Sequence, residues 1–300
     1  ILSKIPGDQE SKFTVKGAIN SVNIYYAPDG TNYETNPINT AGPIDVTAAV
    51  GGLNCNDGVT VCVWQWQNIP VTTPLSTAGY NSKIKVRAED PSYQKNNNAQ
   101  GISGGTGFQV RGSITAVTPT NNQNLQVGDP LDIVWTPVGN ILQYTVQYSY
   151  AMAVGASWQP IVECTNVSGA DAGGGNKKCQ WNAIGNNISN KVLFRVFDAN
   201  NSNTSMDSGT WASGPYNYIK GKLSVVSPQG PDGTDTWTVG TAYSPSIRWN
   251  KTGTIGNLKI EYSTSGGFTP TDYTIGYVFE IVTDLSPGVD GNNDYAWQAG

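Results

Sequence analysis

The chain has no histidine among its 300 residues. That absence removes the commonest general base and a frequent metal ligand, and with them Ser/His/Asp and Cys/His nucleophile systems. Charge is also scarce, at 13% of residues, and 17 Lys plus Arg against 22 Asp plus Glu leave a formal balance of -5. Such a surface offers no basic footprint for nucleic acid or an anionic membrane. No apolar run approaches the ~20 residues that span a bilayer, so no membrane insertion is expected in this segment. No stretch shows helical periodicity. Nothing at Ile1 resembles a signal peptide and no initiator Met is present, so the chain is expected to be processed or cut from something longer.

What the chain does have is one pattern written three times. In Gly128 to Ser149, Trp135 stands four residues before Gly139, with Val146 and Tyr148 seven and nine residues after it. The same spacing holds for Trp249, Gly253, Ile260 and Tyr262, and for Phe13, Gly17, Ile24 and Tyr26. Between these landmarks apolar residues alternate, as in Leu131, Ile133 and Trp135, then Tyr144, Val146 and Tyr148. Period-two alternation bounded by Gly and Pro marks half-buried strands.

The three glycines are 122 and 114 residues apart, and Trp64, Trp181 and Trp297 are 117 and 116 apart. A period of that size matches a small sandwich domain able to bury its own core. Three tandem all-β domains are therefore expected, at 1–111, 112–221 and 222–300, each an antiparallel immunoglobulin-like sandwich. The first is expected to lack its opening strand, because Ile5-Pro6-Gly7-Asp8 stands where Gln126-Val127-Gly128-Asp129 stands in the second. The third is expected to lack the last two strands, which in the second are Lys191 to Asp198 and Tyr216 to Gly221. The favoured explanation is that the array continues, ahead of a neighbouring subunit lending strands.

The recurring scheme of Ser/Thr-Pro, Val-Gly, Ile-x-Trp, Gly and Val-x-Tyr-Ser resembles the tandem Ig-like domains of bacterial cell-surface proteins. It is also similar to the Ser/Thr-rich surface domain of the Kre9/Knh1 type. The resemblance implies surface stalks, adhesins and wall-associated proteins.

Four cysteines form two local pairs, Cys55 with Cys62 and Cys164 with Cys179, each second member two residues before a marker tryptophan. Neither pair has the spacing of a zinc site, so two disulfides and an oxidising, extracellular or cell-surface setting are expected. Carboxylate pairs such as Asp232 with Asp235 lie in turns, where short acids satisfy backbone groups. No catalytic residue is assigned and the protein is read as no enzyme. Asp290 and Asp294 form an oxygen-rich loop that is a weak calcium candidate; no other cofactor is expected. The Asp29 turn in Tyr26 to Tyr33 faintly resembles a sialidase Asp-box, itself a turn motif.

Arg87 and Arg195 precede Asp90 and Asp198 by three residues. Each Arg is expected to pack its stem on the outer sheet, with the Asp capping the next turn. Trp64, Trp135, Trp181, Trp249 and Trp297 are expected in cores. Tyr33, Trp158 and Trp211, beside turns, are the candidate glycan contacts. Sequons at Asn166, Asn187, Asn200, Asn203 and Asn250 are candidate glycan acceptors. The leading expectation is a non-enzymatic structural protein: a stalk, filament or layer whose partners are copies of itself or adjoining repeats. A glycan-binding adhesin, with surface glycans as partners, is the alternative. Accessory domains of a larger secreted enzyme come third.

Overall fold

The computed structural model describes residues 8–67, 69–76, 81–89, 99–120, 122–150, 157–207, 216–228 and 246–297. Residues 1–7, Asp90, Trp211, Asp232, Asp235 and Trp237 lie outside that set, as does the side chain of Asn203.

In the first repeat the strands are β1 (Asp8–Lys16), β2 (Ser21–Ala27), β3 (Ile44–Asp45), β4 (Asp57–Gln67), β5 (Lys83–Ala88) and β6 (Gln100–Ile102). β1 pairs with β4, and the facing sheet runs β3-β2-β5-β6. Alternation decides which side chains go in. Val15, Val22, Val46, Cys55 and Cys62 form one buried cluster, and Tyr26, Trp66 and Val110 another.

The second repeat holds β7 (Ser113–Thr118), β8 (Asn124–Gln126), β9 (Leu131–Val138), β10 (Tyr144–Ser149), β11 (Gln159–Pro160) and β12 (Ala170–Gly173). It continues with β13 (Asn176–Trp181), β14 (Ser189–Asp198), β15 (Asn201–Asp207) and β16 (Asn217–Lys220). One sheet is ordered β12-β13-β9-β7 and the other β11-β10-β14-β16-β8, with β15 also on β14. All pairings are antiparallel except β16 with β8. This strand order, four against six with the opening strand divided between sheets, is that of an immunoglobulin-like sandwich. Ile133, Trp135 and Trp181 from one sheet meet Val146, Tyr148, Phe194 and Val196 from the other in a single core.

The third repeat has β17 (Lys222–Ser227), β18 (Ile247–Thr252), β19 (Leu258–Ser263), β20 (Val278–Leu285) and β21 (Gly291–Tyr295). Its sheets are β17-β18-β21 and β19-β20. Among the described residues β19 has one strand partner, whereas its counterpart β10 lies between β11 and β14. Val225, Phe279 and Val289 are correspondingly exposed.

One short helix, α1 (Pro270–Ile275), departs from the strand-only expectation. Its start is specified locally: Thr269 and Asp272 make a reciprocal capping box and Pro270 takes the first helical position. Six residues are too few to show a helical period, which is why apolar spacing does not reveal it.

Tryptophan placement needs a second correction. Trp135, Trp181 and Trp249 are buried, but Trp64 and Trp297 are only half-buried. Trp66 takes the core position in the first repeat, its ring 5.4 Å from that of Tyr26. The cause is strand register. In the first repeat Cys62 lies opposite Phe13, the ring that occupies the Trp135 position, whereas Cys179 lies opposite Ile133, two residues earlier. The β4 side chains are displaced along the sandwich accordingly.

Candidate functional site

The recurrent glycine of the sequence pattern is where the repeats meet. Gly17, Gly139 and Gly253 all have positive φ, at 99°, 90° and 84°, in the turn after the repeat's tryptophan or phenylalanine strand. Such backbone is open to glycine and strained for other residues. A Cβ on Gly139 would stand 3.2 Å from Gly112 Cα and 3.7 Å from Leu75 of the first repeat. A Cβ on Gly253 would stand 3.0 Å from Val127 and 3.1 Å from Asn186 Oδ1 of the second. The turn of each later repeat is thus seated on its predecessor.

The linker glycines are held closely against the turn of the repeat that follows them. A Cβ on Gly112 would come within 2.7 Å of both Ile141 Cγ1 and the Val138 carbonyl oxygen. A Cβ on Gly221 would come within 2.4 Å of Ile255 Cγ1 and 3.2 Å of the Thr252 carbonyl oxygen. Ile141 and Ile255 both stand two residues after the turn glycine, so the junctions use equivalent atoms. Leu75 packs on the cores of both the first and second repeats. At the second junction Asn186 Oδ1 accepts from the Thr254 N–H at 2.8 Å, Asn186 Nδ2 donates to Thr254 Oγ1 at 3.1 Å, and Lys222 pairs with Asp129 at 2.8 Å.

Two of the three candidate glycan contacts, Trp158 and Tyr33, lie beside cations carried by β14 and β5. Trp158 has the Arg195 guanidinium 4.3 Å from its ring, and Tyr33 has the Lys85 ammonium 4.3 Å from its own. Each aromatic therefore already has a cation on one face. Arg195 also donates to Gln147 Oε1 at 2.6 Å, while Asp198 accepts from the Asn200 N–H at 2.9 Å. That is the outward-packed Arg and turn-capping Asp expected from their spacing. Burial pushes the Asp198 carboxyl above its ordinary value, against the backbone N–H bonds that lower it. In the first repeat Arg87 lies 5.0 Å from the Tyr25 ring and pairs with Glu89, to which the Tyr25 hydroxyl also donates at 2.9 Å. Burial pushes Glu89 up, but the bonds from Arg87 and Tyr25 outweigh it and hold the carboxyl below its usual range.

Both cysteine pairs are disulfides: Cys55–Cys62 and Cys164–Cys179. The sequons differ in chemistry. Asn200 is exposed in the turn between β14 and β15, and Asn250 is exposed within β18. Asn166 is exposed with φ of 55°, its Oδ1 accepting from the Thr145 hydroxyl. Asn187 instead donates its Nδ2 to the Tyr148 hydroxyl, so a glycan on that nitrogen would cost the bond. Asn203 is carried by β15.

The Asp290 carboxylate meets the buried Lys251 ammonium at 3.0 Å, which holds its pKa below the ordinary value. Asp294 lies opposite Arg248 on β18. A cation at Asp290 would have to displace the lysine, so these residues do not fit calcium. Among the described residues no group of three or more His, Cys, Asp or Glu is placed to hold a metal ion, and no helix is long and apolar enough to cross a membrane.

No family model and no curated protein matches the chain. Among solved structures it is similar to a marsupial T cell receptor, at 10% identity over 88% of this chain and 82% of that one, with a TM-score of 0.26. At that level the likeness adds nothing to the strand order already described.

Proposed function

We propose that this chain is a segment of a non-enzymatic extracellular structural protein, in which Ig-like units, divided near 111 and 221, stack end to end as a surface stalk, filament or layer. The observation that carries the reading is the pair of equivalent junctions. Gly139 against Leu75 of the first unit, and Gly253 against Val127 and Asn186 of the second, seat the same turn glycine on the preceding unit twice. A flexible tether between independent binding modules needs no such fit; a stiff rod does. The two disulfides agree with an oxidising compartment outside the cytoplasm. The partners on this reading are further repeats of the same kind.

Negative-stain electron microscopy of the purified chain tests it. Elongated particles of constant end-to-end length, or ordered end-to-end assemblies, are expected. Compact, isolated particles of variable shape would overturn the proposal.

A further inference from the structure

The repeats differ in how they finish the sheet edge beyond β4, β13 and β21. In the second repeat β13 is covered along that edge by β12, in the order β12-β13-β9-β7. Its outward side chains are polar: Lys178 pairs with Asp132 at 2.7 Å, and Gln180 donates to the same carboxylate at 3.1 Å. In the third repeat β21 exposes Asn292 and Asp294. In the first repeat β4 has neither device, since among the described residues its one strand partner is β1. Val59, Val61 and Val63 stand 82%, 50% and 39% exposed, and no residue from Gly58 to Gln67 is charged.

The open edge follows from the course of the chain itself. An opening strand pairs on the far side of β1, as β7 lies on the far side of β9 from β13. The counterpart of β12 would have to come from residues 46–56, between β3 and β4. Those residues turn back on themselves instead: the N–H groups of Leu53, Asn54 and Cys55 donate to the carbonyls of Asp45, Thr47 and Val46. The Cys55–Cys62 bridge then holds this turn to β4. Lys12 and Thr14 of β1, opposite Val63 and Val61, flank the valines on one side, and the other side is bare edge. A strand edge without cover, charge or proline is a template for pairing with another chain.

We propose that the open edge of β4 is a lateral docking surface for a second copy of this chain, paired antiparallel about a two-fold axis. The edge itself selects that occupant. A two-fold contact needs a self-complementary patch, and an uncharged strand faced by valines meets its own copy with no like-charge repulsion and no buried unpaired charge. The register follows from the bonds already made. Asp57 Oδ1 takes the Val59 and Thr60 N–H groups at 2.8 and 2.6 Å, so the edge is open from Val61 onward. There the exposed residues are Val61, Val63 and Gln65. Setting valine against valine places Val61 of each copy opposite Val63 of the other, with the buried Cys62 on the axis. The β1 and β4 strands of two molecules then form one four-stranded sheet. A single strand pair is a small interface, below about 1,200 Å², so the association is weak and reversible. It adds a side-by-side contact to the end-to-end array and is able to fail alone: rod-shaped particles that never pair through β4 would sink the docking and leave the rod.

The test uses the whole chain. All four native cysteines are bridged, so an added thiol reports cleanly. Val61→Cys and Val63→Cys proteins, one of them carrying an affinity tag, are oxidised mildly, each alone and then as a mixture. Directly opposed residues of an antiparallel pair have β-carbons about 4.5–5.5 Å apart, whereas diagonal neighbours stand at about 7–8 Å. Mixed disulfide between the two variants is therefore expected at least tenfold faster than dimer of either variant alone. In parallel, sedimentation equilibrium of the unmodified chain is expected to show a reversible monomer–dimer equilibrium. Val61→Lys, at an exposed side chain, is expected to weaken that dimer at least tenfold with an unchanged circular dichroism spectrum. Trapping no faster in the mixture than in the single variants, a chain that stays monomeric at every concentration, or a dimer indifferent to Val61→Lys overturns the proposal.

Discussion

Asp29 shows how a single side chain is assigned its job by neighbours two and three residues away. Its Oδ1 accepts from the backbone N–H groups of Asn32 and Thr31 at 2.7 and 2.8 Å. These bonds, with the Asn32 side chain, lower its pKa from 3.8 to about 2. Because the folded value lies below the unfolded one, the turn's contribution is fully present above pH 3.8 and is lost as pH falls through about 2. Carboxyl titration by NMR is expected to place the Asp29 midpoint near 2, and an ordinary midpoint would remove the claim. The turn is readable in Ala27-Pro28-Asp29-Gly30, and nothing in its geometry calls for hydrolytic chemistry. Trp158 is less readable. Its place beside a turn suggests an open ring, but Arg195 on the distant strand β14 covers one face, and only sheet pairing brings the two together.

At the scale of elements, the disulfides and the strands do different work. Cys164–Cys179 spans 15 residues and ties the turn at Val162–Cys164 to β13; Cys55–Cys62 spans 7. In the chain-entropy model loops of these lengths are worth ~3 and ~2 kcal/mol. Replacing Cys164 and Cys179 by Ala is therefore expected to lower unfolding stability by about 3 kcal/mol, and replacing Cys55 and Cys62 by about 2. Denaturant unfolding followed by tryptophan fluorescence measures both; a larger loss at the shorter bridge would contradict the loop argument. The third repeat has no bridge in this position: Tyr295 lies opposite Ile247 as Cys179 lies opposite Ile133. The fold thus tolerates its absence. Strand identity is legible because alternation is local. The two-residue displacement of β4 relative to β13 is not, because register is set by which partner residues face each other across the sheet.

For the whole molecule, the junctions decide whether three sandwiches behave as one rod. Gly221→Val places a branched side chain where even a Cβ would stand 2.4 Å from Ile255 Cγ1. Overpacking of this kind costs about 1–3 kcal/mol. Since the clash lies between units, the expected relief is displacement of the third repeat, with the second core intact. Small-angle scattering is expected to show a broader distribution of interatomic distances for Gly221→Val, while the thermal transition of the second repeat moves little. An unchanged scattering profile would show that the close fit at Gly221 does not restrain the rod.

The sequence by itself determined the strands, the threefold period, the cysteine pairs and the lack of histidine chemistry. Each of these is local or periodic: alternation of side chains, a turn glycine, a short loop between two thiols. Only the tertiary structure decided that the repeated glycine is a seat for the preceding repeat, that Lys251 takes up Asp290, and that β4 keeps an open edge. All three depend on surfaces meeting across sheets or across repeats. A pattern of residues along one chain specifies which face of a strand is apolar, whereas what that face touches is settled by packing between elements remote in sequence.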